Sequence, residues 1–139
     1  MNKEVLYSSR NIGILLWFLV LLDLALSAIC LISPEHWGML MHGFPYDDPA
    51  GTVRRMGAVW LAFLLLQGWA LVRWRTAPHL LVLVAGVRLT EIFSDWVYWF
   101  NAEHVTLFGH FGLLVAPPSN LLFGIYLLNA YHHHIRTSA

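Results

Sequence analysis

Long apolar stretches separated by short polar breaks divide this chain into four candidate spans. The first covers residues 11–32 and stops at Ser33-Pro34, where proline ends one helix and Ser33 can cap a short one beginning at Pro34. The second covers residues 53–72 and closes on Arg73-Trp74-Arg75. The third covers residues 78–100, with proline in the permitted first turn and Trp96, Tyr98 and Trp99 at its far end. For the fourth, Pro117-Pro118 either starts a helix ending near His132 or kinks a longer one beginning near Val105; the start is favoured, giving residues 117–132. A spanning helix needs about 20 mostly apolar residues. The pattern therefore predicts an all-α fold, an integral membrane four-helix bundle in one domain over residues 1–139. A short interfacial helix in the first outer loop completes it.

Composition agrees. The chain is 58% hydrophobic and 12% charged, whereas soluble domains carry about 25% charged residues. Net charge is zero, which removes the basic surface that a nucleic-acid partner requires. Cys30 is the single cysteine, so no internal disulfide forms. The first apolar run outlasts a signal-peptide core of about 7–15 residues and carries Asp23, so it reads as a retained span.

Basic residues orient the spans. Lys3, Arg10, Arg73, Arg75 and Arg136 fall on one side, against Arg54 and Arg55 on the other. The positive-inside rule then expects an inner-membrane protein with both termini in the cytoplasm.

Against this apolar background stand Asp23, Arg88, Glu91 and Asp95. A charge at the bilayer centre costs about 2.5–3.5 kcal/mol on insertion scales, so such groups face a partner or a wet cavity. Arg88, Glu91 and Asp95 are spaced i, i+3, i+7 and share one helix face. Helical rise puts Asp23 and Glu91 at nearly one level, with Arg88 about a turn deeper. Asp95 lies a turn nearer the outside, where Arg54 or Arg55 is expected to meet it. The expected network is Asp23–Arg88–Glu91 in the core with Asp95–Arg54/Arg55 above it, extended by Gln67, Thr90, Ser94 or Asn129. Two acids and one base leave a surplus negative charge. Either Asp23 or Glu91 then holds a proton, or a cation or polar ligand completes the set. The cluster reads as interhelical glue or as the wall of a ligand pocket.

Other chemistry is thinner. His36, Met39, Met41 and His42 form a donor set that suits Cu(I). The same stretch reads as an apolar anchor at the interface, and no metal is expected. No histidine falls mid-span, and the chain has no phosphate-binding glycine loop, nucleophile elbow or thiol pair.

Several local patterns together resemble the DoxX-like group of small four-span bacterial membrane proteins. They are Ser33-Pro34-Glu35 ending the first span, Arg54-Arg55-Met56-Gly57-Ala58 opening the second, the basic turn 73–78, and Arg88 with Glu91 and Asp95 in the third. The chain departs from that pattern over residues 105–118. The resemblance implies a four-helix bundle that serves as an accessory subunit, some relatives being associated with thiosulfate–quinone oxidoreduction. A fainter similarity, carried by Asp23, Glu91 and Asp95, is to sterol-isomerase-like membrane proteins that hold cationic ligands with membrane acids. The expected role is an accessory or scaffolding subunit of a larger membrane complex, with lipid and other membrane subunits or a second copy as partners. The alternative is a binding protein or enzyme for a lipophilic ligand such as a quinone or lipid, with Asp23, Arg88 and Glu91 at its pocket. No cofactor is expected under the first role.

Overall fold

The computed structural model describes residues 6–138, with side chains as far as Arg136. Among the described residues there are five helices and no strand: α1 (Ser9–Ile32), α2 (Pro34–His42), α3 (Thr52–Arg73), α4 (His79–Asn101) and α5 (Leu107–Ser138). By length and composition, α1, α3 and α5 are apolar enough to cross a membrane. Helix α4 is 23 residues long but carries Arg88, Glu91 and Asp95.

Two pairs of long helices make the fold, α1 against α3 and α4 against α5. One apolar core joins all four: Ile12, Leu16 and Leu19 of α1, Ala70 of α3, Leu80, Leu81, Val84 and Ala85 of α4, and Leu127 and Ala130 of α5. Trp74, just beyond α3, closes it. Glycines set the approach within each pair. A Cβ on Gly57 would stand 2.9 Å from the Cys30 Cβ, and one on Gly124 2.7 Å from the Leu89 Cγ, so both crossings require a residue without a side chain.

The outer surface is apolar as well, and a few polar side chains lie inside. Asp23, Gln67 and Arg88 are buried, while Trp17, Leu21, Leu65, Phe93 and Leu122 are exposed. A helix apolar on its outer face is stable where the surrounding medium is itself apolar.

The first three long helices lie within two residues of the expected spans. The fourth does not. Helix α5 begins at Leu107 rather than at Pro117 and carries Pro117 and Pro118 in its interior. Those two prolines lack the N–H groups that would bond the carbonyls of Leu113 and Leu114, and an internal proline costs about 3 kcal/mol. Set against that cost is the run Leu107, Phe108, Phe111, Leu113, Leu114 and Val115. As an irregular loop in an apolar medium, this run would leave every peptide group unpaired; as helix it pairs nearly all of them. At 32 residues α5 is about 48 Å long.

Helix α2 begins with Pro34 in its first turn, but the Ser33 side chain makes no capping bond. Its N–H instead donates to the Ile29 carbonyl and prolongs α1. Beyond α2, the Thr106 hydroxyl donates to Leu40 O at 2.5 Å and accepts from Gly109 N at 3.0 Å, which caps α5 and ties it to α2.

Candidate functional site: a buried charge network

Asp23 faces inward because the α1 positions Leu16, Leu19, Asp23, Ser27 and Cys30 repeat at three- and four-residue intervals along one buried face. On α4 the same rule turns Arg88 inward beneath Leu81, Val84 and Ala85. The Arg88 side chain is 1% exposed and Asp23 is fully buried. Arg88 Nη2 donates to Asp23 Oδ2 at 2.5 Å, and Arg88 Nη1 lies 2.9 Å from Glu91 Oε2. One guanidinium thus bridges two carboxylates and joins α1 to α4. Its planar fork allows this, since separate N–H groups serve separate acceptors.

Helix α3 supplies the neutral donors. Gln67 Nε2 donates to Asp23 Oδ2 at 2.7 Å, and Trp60 Nε1 donates to Glu91 Oε1 at 3.0 Å. Both Glu91 oxygens are therefore occupied. Trp60 in turn packs edge-on against Trp37 of α2, 5.4 Å between ring centroids. Three buried atoms of this centre have no hydrogen-bond partner among the described residues: Asp23 Oδ1, Gln67 Oε1 and Arg88 Nε.

The expected upper layer forms differently. Asp95 accepts from Asn120 Nδ2 of α5 at 3.4 Å, not from an arginine. Arg54 pairs with Asp48 at 3.3 Å, and Arg55 lies exposed. Helix phase explains the exchange, since α4 turns Asp95 toward α5 whereas Arg54 sits beside the loop that enters its own helix. Of the expected extensions, Gln67 joins the network. The Thr90 hydroxyl bonds back to Gly86 O, and Ser94 and Asn129 are exposed.

Asp48, in the loop before α3, is a structural anchor. Its carboxylate accepts from the backbone N–H groups of Val53 and Arg54, both at 3.0 Å, at the N-terminus of α3. Burial opposes its charge, but those two donors, with Arg54 and Thr52, outweigh burial and hold it below the usual carboxylate range. The readable signal was an aspartate four residues before the first helical residue, Thr52.

The copper donors are not assembled. His36 and His42 stand six residues apart on α2, on different faces. Both ring nitrogens of His42 are engaged: Nδ1 lies 3.1 Å from Glu103 O, and Nε2 lies 2.6 Å from the Tyr98 hydroxyl. Among the described residues no three His, Cys, Asp or Glu side chains group as a metal site.

Two apolar cavities lie away from the charges. One, about 640 Å³, is bordered by Ala28, Ile32, His36 and Leu40 at the α1–α2 corner. The other, about 600 Å³, opens between α4 and α5 beside Trp96, Trp99, Pro117 and Pro118. Neither is lined by Asp23, Arg88 or Glu91. No protein-family model, curated protein or solved structure matches this chain.

Proposed function

We propose that this chain is a four-span inner-membrane bundle with cytoplasmic termini that serves as an accessory or scaffolding subunit of a larger membrane complex. The observation that carries the reading is the use to which the buried charges are put. Arg88, 1% exposed, is clamped between Asp23 and Glu91, and the two cavities lie elsewhere. Charges that pair with one another across helices hold those helices together. What the chain offers to its surroundings is apolar surface, with Trp17, Phe93, Trp96 and Phe100 exposed. In this reading α4 crosses the membrane with α1, α3 and α5, because its three charges face the bundle interior or pair with α5. Helix α2 lies at the outer interface. The DoxX-like resemblance points the same way.

The test is gentle solubilisation from the native membrane followed by native mass spectrometry. A protein partner in fixed stoichiometry is the expected result. Recovery of the chain alone, or with a stoichiometric small molecule, refutes the subunit role.

A second reading has one observation in its favour. The cleft between α4 and α5 has the volume of a drug-sized ligand site and an almost wholly apolar wall. A quinone or lipid retained there, and lost on Trp96→Ala, would establish a lipophilic-ligand protein.

A further inference from the structure

We propose that the centre of the bundle is a proton-binding site, with the proton on Asp23 Oδ1 and shared with Gln67 Oε1. Two independent observations lead there. The first is the charge count. Asp23 and Glu91 face a single cation, Arg88, and the neutral groups Gln67 and Trp60 complete the contacts from α3. Asp95, the next acid along α4, accepts from the neutral Asn120 of α5, so it draws on no cation of the trio and brings none to it. Full ionisation would leave one uncompensated negative charge in an apolar interior, which is far costlier than one bound proton.

The second observation locates the positive charge. Glu91 has a donor on each oxygen, Arg88 on one and Trp60 on the other, so neither is left without a partner. Asp23 accepts twice on Oδ2 and not at all on Oδ1. The Gln67 amide donates through Nε2, while its own carbonyl, Oε1, is also without a partner. Each orphan is the second atom of a planar group whose first atom already takes part in the Gln67–Asp23 bond. Two acceptors turned toward each other would repel, whereas a carboxylic acid and a primary amide can pair through two bonds in one ring, the first of which is the Gln67 Nε2–Asp23 Oδ2 bond. One proton on Oδ1, donated to Oε1, satisfies both orphans and cancels the surplus charge together. Arg88 and Glu91 then form a balanced ion pair beside a neutral Asp23–Gln67 pair. The proposal rests on the bundle described above but on no partner, so loss of the subunit role leaves it standing.

Infrared spectroscopy of the full chain in lipid nanodiscs at neutral pH reads this proton through the carbonyl stretch of a protonated carboxyl group. The wild-type minus Asp23→Asn difference spectrum is expected to contain that band, and the wild-type minus Glu91→Gln difference is expected to lack it. Asn reproduces both the acceptor and the donor of a neutral acid, so Asp23→Asn is also expected to fold with an unchanged melting temperature. A band assigned to Glu91 overturns the proposal, as does absence of the band from both differences. Failure of Asp23→Asn to fold overturns it too. So does a wild-type melting temperature that rises with sodium but not with a bulky organic cation, since a metal cation would then hold the place of the proton.

Discussion

Replacing Arg88 with methionine removes the one cation of the buried network while keeping most of the side-chain volume. Arg88 makes charged contacts at 2.5 Å to Asp23 and 2.9 Å to Glu91 from a position 1% exposed. Removing one partner of a buried pair costs about 3–5 kcal/mol, because the charge left behind has neither solvent nor counter-ion. A neutral interhelical hydrogen bond in a membrane averages only about 0.6 kcal/mol. The difference separates a charge lock from ordinary polar contacts, and at about 1.36 kcal/mol per decade it amounts to roughly a hundredfold or more in the unfolding equilibrium. Reversible unfolding in mixed micelles, followed by tryptophan fluorescence, measures it. The variant alone is expected to lose about 3 kcal/mol or more. Adding Glu91→Gln to Arg88→Met should then restore stability, although Glu91→Gln by itself lowers it. That change of sign is the signature of a stranded carboxylate. A loss near 0.6 kcal/mol, or a Glu91→Gln effect of one sign in both backgrounds, would refute the lock.

Three other outcomes test the packing and the loop anchor. Gly57→Leu and Gly124→Leu should each cost about 1–3 kcal/mol in the same assay, because the new side chain meets Cys30 or Leu89 below contact distance. Trp60→Phe keeps an aromatic ring but removes the indole N–H that donates to Glu91 Oε1, with some packing, and should cost about 1 kcal/mol or more, with a smaller effect in the Glu91→Gln background. Asp48 is held below the ordinary carboxylate value by the α3 amides. Its stabilisation is therefore complete above about pH 3.9 and disappears as pH falls through its lower folded value. Melting temperatures measured from about pH 5 down to about pH 2 should fall for the wild type and change less for Asp48→Asn. Equal slopes would sink the anchor role.

Much of the helical layout was legible because the apolar period and its interruptions are local properties. Residues 11–32, 53–72 and 78–100 needed no tertiary information, since proline, glycine and basic turns mark their ends. Pro117-Pro118 left the start of α5 open between the prolines and a longer helix from near Val105, and the structure takes the longer one. A proline pair normally marks a helix start, and only the apolar surroundings make ten further helical residues preferable to an irregular loop. Helical spacing also identified Arg88 and Glu91 as neighbours on one face, and a depth count put Asp23 near them.

Which acid meets which base was a different kind of question. Asp95 goes to Asn120, and Arg54 goes to Asp48, because partner choice depends on the rotation of each helix about its axis. Spacing along one helix carries no information about that rotation relative to another. Gly57 and Gly124 set it through close approach, and the core around Leu16, Leu81 and Leu127 holds it. The sequence by itself determined that this chain is helical, led to an expectation of four apolar spans, and placed one more acid than base in the central trio. Only the tertiary structure decided that both Glu91 oxygens are bonded while one Asp23 oxygen faces no donor, because hydrogen-bond saturation is a property of converging side chains from three helices.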